Sequence, residues 1–441
     1  MNKMRNTQKE LSKALTSSGD GAALVPYDLE PILNQELLVL QPLTELIDIV
    51  DAKGKTHEYT LRSSHPQGWF EGETTPANAK NGAYLRKTVQ LKIQRIWGSV
   101  TGFAQAVDEA FIDALATELE GSLEGMSNTL EFGLLWGASD DIGFTGDAYQ
   151  YSGVLPRIFK LAPDNVISAA GSKVSLDHLD QAIAAITKYR GTGSDPKLWI
   201  MGLRMRQVVD GLQTRVQIPL TSTVLQDGKI TMANYSGAPI LESDFVVPAA
   251  TSTSPTLSAS IAAGGALPDG SYTYRIASVT MYGEQVASAT TSACVAATTN
   301  KKAELTWTAD ANALSYMIFR KLGTGEWALL DIIAALTYDA NGTVNGAVAT
   351  YTDDGSKAVI AKVKPLETGE QNIVLINRNP NRGVAFLGKV DDMGRPVANL
   401  FSFVELARVK DTYDYMVKGY LAVRMKYPNV SAAVIRNVKI A

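Results

Sequence analysis

Side chains suited to proton transfer or metal binding are scarce: the histidines are three, His57, His65 and His178, and the sole cysteine is Cys294. His57 and His65 sit in a glycine-rich polar stretch with no further ligand at a zinc-type spacing, so they read as surface histidines rather than a metal pair. One cysteine makes neither an intrachain disulfide nor a thiolate cluster. Ser175, Asp177 and His178 have the types of a nucleophile, an acid and a base, but a triad converges from separate elements and these are neighbours in sequence. The pattern is instead a helix start, with Ser175 as cap before an apolar face of Leu176, Leu179, Ile183 and Ile186. Arg190-Gly191-Thr192-Gly193-Ser194 has the glycines of a phosphate loop, but no lysine–serine or lysine–threonine pair closes it and it follows a helix, so it reads as a helix stop. Asp353-Asp354-Gly355 and Asp391-Asp392 carry calcium-type oxygens, and turn formation accounts for both. The expectation is no catalytic site, no metal and no cofactor, hence not an enzyme.

What remains must be read from the elements themselves. At 441 residues, 45% apolar and 20% charged, the chain has the material of two or three well-cored domains. Its net charge of −4 supplies no overall basic field for a nucleic acid, which points to association through matched surfaces. The exception is a basic leader with Lys3, Arg5, Lys9 and Lys13, which reads as an arm over residues 1–23 that touches a neighbour, a nucleic acid or only water. No apolar run nears the ~18 residues of a membrane span, and the amino terminus lacks a secretion-signal layout, so a cytoplasmic origin is the default expectation.

From Lys53 to Arg86 the chain makes a polar, glycine-studded excursion whose middle holds Trp69-Phe70-Glu71-Gly72-Glu73. A loop of that length carrying buried-type aromatics has a job. Val89, Leu91 and Ile93 then alternate with polar residues as a strand with one wet face. Val107, Phe111, Leu115, Leu119, Leu123, Met126, Leu130 and Leu134 follow at helical spacing, predicting one long helix over 106–136. Gly121, Gly125 and Gly133 within it call for a bend, a break or close backbone packing. An α+β lobe comes next, with Leu198-Trp199-Ile200-Met201 as a buried strand. At Ala249 the texture turns to Ala, Thr, Ser and Pro, and short strands with turns run to about Gly355, as in a small β sandwich. These strands resemble fibronectin type III-like and immunoglobulin-like modules, although the tyrosine-rich strand precedes the tryptophan strand, which departs from the usual order. The first texture resumes past Pro365 with Ile373-Val374-Leu375-Ile376. The sandwich therefore reads as an insertion, with both crossings, near Val247 and Pro365, expected at the surface.

The order of arm, aromatic–acid–glycine loop, long helix, α+β lobe and terminal alternating strands resembles the Hong Kong 97-type major capsid protein of tailed bacteriophages. The residues carrying it are Leu24-Val25-Pro26, Trp69-Phe70-Glu71-Gly72-Glu73, Val100 to Asp108 leading into the helix, and Leu198-Trp199-Ile200-Met201. The match rests on layout and short tags and covers nearly all of the chain outside the insertion.

The resemblance implies an α+β capsid fold divided into an arm (1–23), a peripheral domain (24–165 and 396–441) with extended loop 53–86 and spine helix 106–136, an axial domain (166–248 and 365–395) and an inserted sandwich (249–364). It further implies a homo-oligomer of hexamers and pentamers in a virion shell, with the loop residues Trp69, Phe70, Glu71 and Glu73 lying across a neighbouring subunit. The implied partners are a separate scaffolding protein, a portal, a decoration protein and packaged double-stranded DNA contacted without sequence preference. Some members weld the shell by a lysine–asparagine bond; Lys80, Lys87 and Asn399 have the residue types, but no motif pairs them. Encapsulin-type compartments, which use the same fold around enzymes, are the nearest alternative, and a surface adhesin acting through the sandwich is the next.

Overall fold

The computed structural model describes residues 43, 46–68, 70, 73, 81–103, 114–188, 191–215, 222–225, 230–250, 255–297, 299–338, 344–389, 395–398, 401–406 and 410–440. The described residues are α+β, with two large mixed sheets in the main body and, between residues 257 and 353, two larger antiparallel sheets and the two-stranded Leu336–Tyr338 with Val344–Ala347.

One sheet is organised by the long strand Thr412–Met425, which pairs antiparallel with Lys92–Thr101, Phe401–Glu405 and Val384–Lys389. The helix Ala114–Trp136 packs on it, continuous through all three of its glycines. Met126, Leu130 and Leu134 are buried, and Leu115, Leu119 and Leu123 lean on the same core, as the stripe predicts. Gly133 is a place of close packing: a Cβ there would lie 2.6 Å from the Tyr151 hydroxyl. The helix is fastened to the sheet by Gln94, whose Nε2 donates to the Met126 carbonyl (2.7 Å), and by Ser122, 2.9 Å from the Tyr415 hydroxyl.

Two expectations change in this sheet. Ile93 was expected to share an inward face with Val89 and Leu91, yet it is 63% exposed while those two are buried. Leu91 lies between two strands, donating its N–H to the Lys55 carbonyl, and the alternation changes phase there. The alternation expected of the terminal strands does not show in burial at Leu421 to Met425, which is covered on both faces because strands and the ribbon enclose it.

The second sheet runs Val166–Ser168, Ala432–Lys439, Glu370–Asn377, Lys197–Met201, Ala238–Glu242, Ile230–Tyr235 and Ser222–Leu225. Trp199, Met201, Ile373, Leu375 and Ile435 of the sheet form a core with Leu179 and Ile186 of helix Leu176–Ile186 and Met205 and Val209 of helix Leu203–Arg215. The last strand, Ala432–Lys439, thus pairs with Glu370–Asn377 and Val166–Ser168 and lies outside the sheet of Thr412–Met425, with which the expected grouping 396–441 joined it.

Between them, Leu257–Ala262, Lys302–Trp307 and Thr350–Asp353 form one antiparallel sheet, and Gly270–Thr280, Ser315–Leu322 and Ala328–Ala334 with two short strands form another. They share a core in which Trp307 and Tyr316 meet edge to face at 5.4 Å. The Tyr274 hydroxyl (2.9 Å) and Arg320 Nη1 (2.8 Å) both donate to the buried Asp353, so that acid serves the packing rather than a metal.

The second of these sheets is buried on both faces. Tyr274, Ile276, Tyr316 and Ile318 face the shared core, while the intervening Ala277, Val279, Met317 and Phe319 join the core of the main body. The crossings are not at the surface either. Ala249 is 3% and Leu366 1% exposed, and the two passes pair with each other, Ala249 N–H donating to the Glu370 carbonyl and Gly369 N–H to the Ala249 carbonyl. The Ala249 backbone is thus met by protein rather than water.

Burial also holds four phenols, Tyr151, Tyr235, Tyr274 and Tyr351, well above the ordinary tyrosine range, with Asp180 beside Tyr235, Asp353 beside Tyr274, and Asp331 and Asp353 beside Tyr351 adding to it. A pKa raised on folding gives stability that is intact below the unfolded value and lost as pH climbs toward the folded one. Stability should therefore fall steeply above about pH 10, by about 1.4 kcal/mol per pH unit for each phenol that stays neutral in the fold. Urea melts at stepped alkaline pH, with tyrosinate absorbance as the second signal, check this; a flat stability curve to pH 11 on the order of that at pH 8 would refute it.

Candidate assembly surfaces

The excursion is a two-stranded ribbon, Thr56–Arg62 against Tyr84–Gln90, in register from Thr56 opposite Gln90 to Arg62 opposite Tyr84. Its root is held: Val89 and Ala52 are buried, and Tyr59 donates to the Met425 carbonyl (3.4 Å). Its far half rests on itself. Arg62 donates to the Tyr84 hydroxyl (3.0 Å) and covers that ring at 5.3 Å, and Glu58 and Arg86 pair across the strands at 3.6 Å. A two-stranded ribbon without a third strand or a covering layer is marginal in water. Yet Tyr84 is 59%, Leu85 51% and Phe70 fully exposed. Of the loop residues singled out by sequence, Phe70 and Glu73 are both exposed; Trp69 and Glu71 lie outside the described residues, as do Lys80 and Asn399.

A second uncovered surface is the outer face of the Lys92–Thr101 strand. Ile96 turns toward the helix, and Ile93 and Trp97 turn away, the latter 69% exposed. Trp97 stands opposite Met416, which stands opposite Val404, giving an apolar row across the sheet. Alternation along the strand put Ile93 on the wrong face, and Trp97 was not singled out; the signal was the polar Gln94 and the glycine Gly98 marking the other face.

The third surface is electrostatic. Arg62 and His65 of the ribbon, Arg382 and Lys426 line a cleft of about 790 Å³ at the ribbon's side, and its lining contains no aspartate or glutamate. Behind it Arg424 is only 5% exposed, its guanidinium donating to the Pro380 carbonyl (2.6 Å) with His57 Nε2 at 3.4 Å. Burial, then Arg424 and Lys426, lower the His57 pKa from that of an ordinary histidine. Burial and then Arg424 likewise hold Lys426 below an ordinary lysine.

The remaining residue types that suggested chemistry are structural. Ser175 caps its helix, accepting from the His178 N–H at 3.3 Å, with its Oγ 3.0 Å from His178 Nδ1. Gly191 has a φ of +89° after the helix ends, and its carbonyl accepts from Arg382. Asp354 accepts from Ser356 in a turn, and Asp391 and Asp392 lie outside the described residues. Among the described residues no group of three histidine, cysteine or acidic side chains converges as a metal site, and no helix is long and apolar enough to cross a membrane.

No protein-family model matches the chain, and no curated protein matches its sequence. Solved structures do. The holo-SrpI encapsulin complex of Synechococcus elongatus matches over 96% of this chain and 95% of its own, at 12% identity and a TM-score of 0.52. A chain of Microbacterium phage Oxtober96 matches over 96% and 98% at 10% identity and a TM-score of 0.47, and the capsid of a native GTA particle over 96% and 98% at 10% and 0.45. The encapsulin match, spanning both chains almost end to end, gives this chain the α+β fold of that encapsulin.

Proposed function

We propose that the chain is a shell-forming protein, the major capsid protein of a tailed bacteriophage, assembling as hexamers and pentamers into an icosahedral shell around double-stranded DNA. The observation that carries this reading is the ribbon: a two-stranded arm whose Phe70 is fully exposed, an aromatic that gains most when a neighbouring molecule covers it. Trp69, Phe70, Glu71 and Glu73 form the crossing loop. A separate scaffolding protein, a portal and a decoration protein complete the virion, and the residues 249–364, an immunoglobulin-like sandwich, are displayed on the outside.

A second reading is favoured by one finding, the encapsulin match: a shell enclosing an enzyme instead of a genome. Electron microscopy of the native particles with analysis of their contents separates the two. Genomic DNA inside closed shells supports the capsid, and an enclosed enzyme the compartment. Discrete monomers under all assembly conditions would sink both.

Replacing Trp69 and Phe70 by serine tests the loop. Covering one large aromatic contributes about 2–3 kcal/mol per contact, so the threshold concentration for assembly should rise at least about 30-fold. The monomer's melting should move little, because Phe70 touches nothing in it. Normal shells at the wild-type threshold would refute the assignment.

A further inference from the structure

We infer that the basic cleft beside the ribbon is the receptor for the acidic turn of a second copy's ribbon, so that each subunit offers one anionic tip and accepts another. The inference rests on the shell reading and names a contact by which one subunit grips the next. Arg62, His65, Arg382 and Lys426 converge on the cleft without an acid among its lining. Arg382 donates to the Gly191 carbonyl and lies 3.6 Å from Asp195, and Arg62 is engaged by the Tyr84 ring and hydroxyl. The nearly buried Arg424 adds a further positive charge behind them. Like charges gathered on one cleft repel one another, and an anion brought from outside relieves that repulsion.

The chain carries such an anion. From Pro66 to Ala79 the sequence holds Glu71 and Glu73 and no lysine, arginine or histidine. Glu73 is exposed, beside the fully exposed Phe70. Tip and cleft are different patches of one chain, so their union is a head-to-tail contact, the kind that generates rings when its rotation closes. A nucleic-acid phosphate is the other chemistry that fits the cations. The tip is favoured because it is supplied at one per cleft, whereas the net charge of −4 gives the chain little long-range attraction for a polyanion.

The test is charge reversal in the full-length protein, with circular dichroism and melting to verify folding. Arg382→Glu with Lys426→Glu should raise the assembly threshold about tenfold or more, and Glu71→Lys with Glu73→Lys should do the same. Combining all four should restore it to near the wild-type value, which a merely structural role for either surface would not do. A synthetic peptide of residues 66–78 should bind the wild-type protein and lose binding to the cleft variant, a readout independent of shell formation. Unimpaired assembly of both double variants, or no rescue in the combined one, overturns the inference while leaving the shell reading intact. Normal shells carrying less nucleic acid in the cleft variant would overturn it in favour of a phosphate site. Failure of the wild type to form shells, with no peptide binding, would remove the shell reading and the inference together.

Discussion

Replacing Arg436 by methionine should cost the fold about 3–5 kcal/mol, the range for breaking a buried ion pair from one side. Arg436 and Glu284 are both fully buried, with Arg436 Nη2 at 2.9 and 2.8 Å from the two carboxylate oxygens. The same nitrogen donates to the Lys364 carbonyl at 2.8 Å, and the guanidinium lies 5.0 Å from the Phe159 ring centroid. Burial pushes the Glu284 carboxyl upward, and Arg436 opposes this most, ahead of the Leu366 backbone and the Asn372 side chain. Without it, Glu284 must stay charged in an apolar place or take up a proton, and either is costly. Replacing both residues, Arg436→Met with Glu284→Leu, should recover most of the loss, since the desolvation of the pair roughly offsets its attraction. Denaturant melts of the two singles and the double give the coupling directly. Singles that cost under about 1 kcal/mol would mean the pair is not what ties the Gly283 turn to the last strand.

That pair shows why part of the architecture was legible in the sequence and part was not. The helix announced itself because its apolar spacing is local, and Met126, Leu130 and Leu134 fall where the period puts them. The ribbon was legible as a polar excursion with stray aromatics, and Phe70 is exposed as that reading needs. Ser175 was readable because a cap satisfies N–H groups two or three residues on. Glu284 and Arg436, by contrast, lie 152 residues apart, and neither has a local pattern that marks it as buried. The basic cleft is assembled from residues 62, 65, 382 and 426, each an ordinary basic residue in sequence until the fold brings them together. The two crossings were misjudged for a related reason. Their composition is that of exposed linkers, yet Ala249 and Leu366 are covered because each crossing supplies the other's hydrogen bonds. Even the β-rich segment was read as self-contained from its own alternation, which cannot reveal that both faces of a strand are buried.

Substituting Phe319 by alanine should therefore destabilise the entire molecule, by about 3–5 kcal/mol as for other buried phenylalanines. Phe319 is fully buried among main-body residues, on the strand whose neighbour Ile318 points into the core shared by the two inserted sheets. The attachment is reinforced at the sheet edge. Asp331, fully buried, accepts from the Thr145 N–H (3.0 Å) and hydroxyl (2.6 Å) of the main body and from Lys357 Nζ (2.5 Å). With one sheet serving two cores, loss of packing on either side is transmitted through it, because close-packed interiors pass strain rather than absorb it. Ile318→Ala is the matching change on the opposite face, with an expected cost of about 2–5 kcal/mol. Calorimetry of the two variants should show a single transition displaced downward in each. An early transition in Ile318→Ala, with the main body melting at the wild-type temperature, would mean that the inserted sheets unfold alone and that their contact through Phe319 contributes little. The joint response expected instead has a consequence for a shell: a displayed segment fixed by a shared sheet would hold its orientation to the capsomer, and a load applied to it would pass directly into the core beneath the Ala114–Trp136 helix.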